Sequence, residues 1–314
     1  MTVSRVLNEP WKVRPSTRER VQSAITELGY RPNTLARSLA AGRSRSIGVI
    51  CLSTVWCVPS TIIGAVERAA RDADLALFIL MLESPQEGEV RSAVRRLIDR
   101  GVDGVVAVTA TPEAAEALLA PTETVPVAAI HHGRAWAQNT DAERIGARLA
   151  TEHLLRLGHP SVHHVAGPQQ WPQARARREG WEDAMRAADR RLPPLLMGDW
   201  SAASGYGACR ALAARADLTA VFVANDQMAL GVLRALHDGG RSVPEDVSVA
   251  AIEDLPVSTF CRPPLTTVRH DQEGLGEQII DLLLTRPATP DGHTLKRPRP
   301  PQLIIRASTA APPP

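Results

Sequence analysis

The sequence predicts an α/β protein, with two doubly wound parallel-sheet lobes in tandem behind a small all-α head. Three observations carry this. From Ser46 onward, short continuous apolar runs alternate with amphipathic helical stretches, the pattern of strands covered on both faces by crossover helices. That alternation runs once to about residue 130 and starts afresh from about residue 145. The first 46 residues show helical spacing only and hold nine Arg/Lys against three Glu, leaving 27 basic and 31 acidic residues elsewhere. A basic head on a mildly acidic body suits a polyanion at one end only.

In the head, Met1–Asn8 puts Val3, Val6 and Leu7 on one helical face and Ser4 and Arg5 on the other, and Pro10 prevents continuation. A second helix follows, begun near Pro15 or capped by Ser16, with Val21, Ala24, Ile25 and Leu28 as its apolar face. Gly29 ends it. Two helices this short do not close a core without a further element or partner. Arg31–Arg45 then has a helix-compatible centre, Thr34 to Ala41, closed by Gly42. On composition alone this segment suits a solvated linker better than a DNA contact. In the second reading its cations meet phosphates and Leu39 wedges between base steps.

In the body, strands are expected at Ile47–Leu52, Ala76–Met81, Gly104–Val108 and Val125–Ile130, with helices at 60–74, 87–100 and 113–120 between them. The second round has helices at 145–157, 173–188, 204–214 and 226–239. Its strands are expected at 162–166, 195–197, 220–223 and 247–252. Strand 266–269, helix 273–284, a proline-rich loop and strand 302–305 complete it, and Ala310–Pro314 is too proline-rich to fold. Two such lobes leave a cleft, the usual place for a small ligand.

The totals exclude several classes. At 314 residues, 44% hydrophobic and 22% charged, the chain has the composition of a globular protein of two or three domains. Cys51, Cys57, Cys209 and Cys261 form no C-x-x-C pair and are expected as reduced thiols in the cytoplasm. Arg5, Glu9 and Lys12 interrupt any leader-like apolar stretch, and no membrane span is expected. His131–His132 and His163–His164 are adjacent pairs whose members point to opposite faces of a strand, so no metal is expected. Glycine-rich phosphate loops and paired acid/base motifs are missing, so neither a cofactor nor an enzyme is expected.

Several motifs, in order, carry a resemblance. They are TVSRVLN at 2–8, ELGYRPNTLARSLAAGRS at 27–44, HLLRLGH at 153–159, AGP at 166–168, SGY at 204–206, FVANDQMALG at 222–231, VPEDVSV at 243–249 and PPLTTVR at 263–269. Together the sequence resembles the lac repressor (LacI/GalR) family of bacterial transcription regulators over nearly its whole length. The resemblance implies a partial helix-turn-helix head over 1–31 and a hinge helix over 32–45. It also implies two Rossmann-like lobes of the type I periplasmic-binding-protein kind, 46–140 with 271–290 and 141–270 with 300–309. Crossovers between them would fall near Asn139–Asp141, Arg269–Asp271 and 287–300. The family's head begins further upstream, so Met1 is expected to be an internal methionine taken as a start, with a genuine truncation as the alternative.

The same resemblance assigns roles. Arg5 would pair with guanine, while Thr2, Ser4 and Asn8 contact phosphate, although Thr2 and Ser4 serve equally well as solvated helix positions. Leu39 would be the minor-groove wedge, Ala36 the close-approach residue, and Asn33 and Arg37 the backbone or groove contacts. At the cleft, Trp200 offers a face to a pyranose, unless it is simply a packing tryptophan. Arg177, Asn225 and Glu253 would bond vicinal hydroxyls, and Pro59 and Ile62 would close the apolar side. His131–His132 and Ala142–Glu143 depart from the family pattern at the cleft rim. The implied partners are operator DNA, a second copy of the chain and a mono- or disaccharide effector of galactoside type. A periplasmic-type sugar-binding protein without DNA binding is the alternative.

Overall fold

Apolar runs become strands here because both faces of the central strands are covered, while Phe78, Ile79 and Met81 of an edge strand stay exposed. The computed structural model describes residues 3, 5–6, 10–30, 43–52, 60–83, 86–108, 125–129, 134–210, 212–215, 217–284 and 298–313. They divide into two units, Met1–Ser44 and Arg45–Pro314.

In the first unit, α1 (Pro15–Glu27) starts on a proline, whose missing N–H costs nothing at that position. None of its side chains is buried. Its expected apolar face, Val21, Ala24, Ile25 and Leu28, instead lines an open groove of about 740 Å³ with Val3 and Tyr30.

In the second unit, β1 (Ser46–Leu52), α2 (Ser60–Asp72), β2 (Ala76–Leu82), α3 (Glu87–Ile98), β3 (Gly104–Val108) and β4 (Val127–Ala129) come first. The four strands form one parallel sheet in the order β2-β1-β3-β4. Every residue of β3 is buried, and its neighbours alternate. Val106 and Val108 join Ile62 and Val66 of α2 on one face. Val105 and Ala107 join Val90, Val94 and Leu97 of α3 on the other. Burying each such side chain contributes about 1.5–3 kcal/mol.

Then follow α4 (Arg134–Arg156), β5 (His163–Ala166), α5 (Pro172–Ala187), β6 (Leu196–Met197), α6 (Ala202–Arg210), β7 (Ala220–Val223), α7 (Asp226–Asp238), β8 (Ser248–Ile252), β9 (Thr266–Arg269), α8 (Gln272–Leu284) and β10 (Gln302–Ile304). The second sheet runs β10-β9-β8-β7-β5-β6, parallel apart from β10, whose Gln302 lies opposite Arg269. Ala147, Ala150 and Leu154 of α4 with Trp181 and Met185 of α5 cover one face. Cys209 of α6 and Met228, Val232 and Leu236 of α7 lie in the core of the other. α8 leaves this sheet to pack on the first, where Leu275, Ile279 and Leu283 meet Ile62 and Val66.

Four expectations need correction. The helix expected from Ile145 begins at Arg134 and runs through residues 139–141. Asn139, Thr140 and Asp141 are capping residue types, but no glycine or proline interrupts the stretch. The helix expected to reach Ala214 ends at Arg210, and the strand expected over 125–130 is limited to Val127–Ala129. Nor is the tail from Ala310 loose at its start. The Ala310 carbonyl accepts from His159 Nε2 (2.9 Å) and Ser248 Oγ (3.0 Å), and Pro312 packs over Gly158. Proline prevents helix and ladder, but it does not prevent a segment from lying along a fixed groove. The helix expected at 113–120 lies outside the described residues.

Gly231 shows how closely α6 and α7 approach. A Cβ there would run into the Ala202 carbonyl and the Tyr206 backbone nitrogen. Since backbone cannot rotate away, Gly231→Ala is expected to cost about 3 kcal/mol or more, at the top of the overpacking range. The urea unfolding midpoint reads this, and an unchanged midpoint would refute the packing.

Candidate functional site

A buried arginine sits at the centre of a polar cluster in the second lobe. α5 carries Arg177 into the interior, where its side chain is 5% exposed. Its Nε donates to Glu143 Oε2 at 2.6 Å and its Nη1 to the Ala224 carbonyl at 2.5 Å. Glu253 Oε1 lies 3.6 Å from Nη1, and the guanidinium sits 5.4 Å from the centroid of the Trp200 ring. Burial works against charge on both partners of the Arg177–Glu143 pair, but their mutual attraction outweighs it. Glu143 is held well below the usual carboxylate range, and Arg177 is raised further. Glu253 goes the other way. Burial, then the nearby Asp226 and Glu143 charges, push it up to about 8, against the pull of Arg177.

Glu253 is presented by a strained turn. It follows β8 directly with φ 122°, and Asp254 after it has φ 54°, both in the left-handed half of the map where side chains other than glycine cost about 1–3 kcal/mol each. Neighbours hold the turn in place. Asp254 accepts from Arg306 Nη2 and Arg269 Nε, both at 2.6 Å. Asp226, fully buried at the start of α7, accepts from the Leu255 N–H (2.7 Å), Ser258 Oγ (2.5 Å) and Thr267 Oγ1 (2.5 Å). Burial raises Asp226 to about 6 in spite of these three donors.

Glu253, Asp254, His270 and Asp271 line a cavity of about 570 Å³, closed on the other side by Thr61 and Arg68 of α2 in the first lobe. The walls are polar and charged. Arg68, Arg269 and Arg299 are matched by Glu273, Asp254 and Asp271. Such a space suits a ligand with many hydrogen-bonding groups.

The structure thus brings Arg177, Trp200 and Glu253 together, but with duties the sequence did not show. Trp200 is 4% exposed. Its ring lies against Gly167, edge-on to Trp171 at 6.2 Å, and under Arg177. No aromatic face is therefore open in this arrangement. Asn225 also serves internally. Its Oδ1 caps α7 by accepting from the Met228 N–H (2.8 Å), and its Nδ2 donates to the Trp200 carbonyl (3.2 Å). Ile62 lies in the core of the first lobe, with Val66 and Leu275. In the head, Arg5 is exposed and helical while Val6 is buried. Thr2, Ser4, Asn8, Asn33, Ala36, Arg37, Leu39 and Pro59 lie outside the described residues.

Sequence reasoning passed over Glu143, His270, Asp226 and Asp254 as site residues. A signal for Glu143 was present. It shares the stripe 143, 147, 150, 154 with two alanines and a leucine, all buried, so a carboxylate there required a buried partner. His270 and Asp254 carry no such signal, since only the folding of β9 against β8 places them.

Comparison with known proteins completes the description. Residues 1–33 match the family of bacterial regulatory proteins, lacI family, and residues 151–309 match a periplasmic binding protein-like domain. The lactose operon repressor of Escherichia coli (strain K12) is 34% identical over 99% of this chain and 87% of its own length. The chain belongs to the lacI family of bacterial regulatory proteins. Other members of the family are similarly close. The transcriptional repressor PurR of Haemophilus influenzae (strain PittEE) is 33% identical over 98% of this chain and 94% of its own. The ribose operon repressor of Escherichia coli (strain K12) is 31% identical over 92% and 89%. Among solved structures, the lac repressor dimer bound to operator and the anti-inducer ONPF superposes with a TM-score of 0.81 at 32% identity, covering 99% of this chain and 95% of that one. The CelR–cellobiose complex gives 0.72 at 29% identity, covering 97% and 94%.

Proposed function

We propose that this chain is a ligand-responsive transcription regulator, a repressor that binds operator DNA as a homodimer and is released by a small sugar in the interlobe cleft. The observation that carries this reading is that repressors cover head and core together, from the first residues to the C-terminal strand. Two of these relatives are named for the lactose and ribose operons, which supports a small sugar effector. On this reading Arg5 reads a base edge, while Thr2, Ser4, Asn8, Asn33, Ala36, Arg37 and Leu39 contact backbone or minor groove. Glu253 faces the effector, Arg177 and Trp200 stand buried behind it, Asn225 holds the Trp200 loop, and Pro59 and Ile62 support the first-lobe wall. The protein works in the cytoplasm and catalyses no reaction.

A second reading, a sugar-binding protein without DNA binding, rests on the open groove along α1, where no side chain is buried.

One experiment separates the two. Fluorescence anisotropy of the full chain on a duplex selected from random sequence should show affinity falling about 10³-fold from about 50 to 200 mM salt, as six or more phosphate contacts require. A cleft ligand should release the duplex. Binding that is flat in salt would refute the regulator and leave the sugar-binding protein.

A further inference from the structure

Two passages of the chain between the lobes meet at one nearly buried carboxylate. Residues 270–271 lead from β9 of the second sheet to α8, which packs on the first. Residues 298–301 lead into β10, which pairs with β9. Asp271, its side chain 10% exposed, joins the two. Its Oδ1 accepts from the Gly274 N–H at 3.1 Å and so caps α8. Its Oδ2 accepts from the Arg299 N–H at 2.8 Å and from Arg299 Nε at 3.1 Å, and Arg299 Nη2 donates to Oδ1 at 3.3 Å. Gly274 leaves room for this, since a Cβ there would meet the Asp271 carboxylate and Pro298. Burial works against the Asp271 charge, but Arg299 and the backbone donors hold it below the usual carboxylate range.

Capping alone does not call for an arginine, because an uncharged asparagine caps equally well. The neighbouring ties also differ in kind. Asp254, Arg269 and Arg306 all belong to the second lobe, while α2 and α8 are fixed together in the first, where Gly276 lies against the Ala65 backbone. The Asp271–Arg299 pair instead ties one passage to the other. Both residues line the 570 Å³ cavity, opposite Thr61 and Arg68 of α2. The Arg299 side chain is 75% exposed. Such a pair is weak enough to be displaced, yet its two-pronged form sets a definite geometry while it lasts.

We propose, building on the cleft as the effector site, that the Asp271–Arg299 pair is a latch on the angle between the lobes. Closed, it holds the two passages together. An effector hydroxyl opens it by donating to Asp271 Oδ2 in place of Arg299, which frees the passage at 298–301 to move. Arg299 therefore competes with the effector, whereas Asp271 serves both. A ligand shifts such an equilibrium only by what it gains in the open form, and the freed carboxylate is that gain.

Calorimetric titration of the full chain with galactose, beside amide hydrogen exchange over residues 299–302, tests this. Arg299→Met removes the competitor, so galactose is expected to bind about two- to fivefold more tightly, the range an exposed pair allows. Asp271→Asn keeps the cap but gives up the charged acceptor with the latch, and should bind no more tightly than the parent. A purely structural pair would weaken binding in both. Arg299→Lys, which keeps the charge without the fork, should fall between the parent and Arg299→Met. Exchange follows the open fraction, so it should speed up in Arg299→Met, and saturating galactose should speed it up in the parent. Equal galactose affinity and equal exchange in the parent and Arg299→Met would overturn the latch and leave the effector cleft standing. If galactose binds neither, the sugar reading falls, and exchange that is no faster in Arg299→Met overturns the latch as well.

Discussion

Arg177→Met is expected to destabilise the full chain by about 3–5 kcal/mol, the range for stranding the partner of a buried ion pair. The side chain is nearly volume-matched, so packing is not the cause. What is lost is the cation facing Glu143 at 2.6 Å, in a place where both side chains are at most 10% exposed. The pH dependence has a definite sign. With Arg177 present, Glu143 is depressed, so its contribution is full above the unfolded carboxylate value and lost only when pH falls through the lower folded value. Without Arg177, burial dominates and raises Glu143, so the folded state favours the protonated acid. The deficit of the variant should therefore shrink between about pH 7 and pH 5. The double change Arg177→Met with Glu143→Gln should recover most of the loss, since neither charge is then left unpaired. Urea unfolding midpoints at the two pH values measure all of this. A single variant losing less than about 1 kcal/mol would show that Glu143 finds water or another partner, and the cluster would lose its central role.

Asp226→Ala is the second large effect, again at about 3–5 kcal/mol. It strands three donors, the Leu255 N–H and the hydroxyls of Ser258 and Thr267, at about 1–3 kcal/mol for each that stays buried without an acceptor. Asp226→Asn keeps an acceptor and nearly the same volume, and should cost about 1–2 kcal/mol. Because burial raises Asp226 from 3.8 to about 6, its stabilising contribution is full below the lower value and lost as pH rises through the upper one. The Asn variant should lack that slope. The turn that presents Glu253 begins one residue before Asp254 and is tied to Asp226 through Leu255, so ligand affinity should fall in both variants. Unfolding midpoints across pH, with effector titration alongside, check this. An Ala variant as stable as the parent would refute the hub.

Much of the architecture was legible in the chain. Continuous apolar runs such as Gly104–Val108 mean strands buried on both faces, and the restart of the pattern means a second lobe. Charge counted over the first 46 residues separated head from body. The site was legible in part. Arg177, Trp200 and Glu253 do meet, and the resemblance that selected them rests on motifs such as FVANDQMALG. Boundaries failed where residue type misled. The helix expected from Ile145 begins at Arg134, with the capping types Asn139, Thr140 and Asp141 inside it, because capping residues only permit a start and do not compel one.

What the sequence by itself determined is periodicity, layer order, charge distribution and family, all properties of neighbours along the chain. Only the tertiary structure decided who holds whom. Glu143 and Arg177 are 34 residues apart, and Asp226 and Thr267 are 41 apart. Trp200 offers no open face because Gly167 and Arg177 cover it, and Asn225 is taken up by capping α7. The physical reason is desolvation. A polar group's role is set by the partner that offsets its burial, and that partner is chosen by packing between elements remote in sequence.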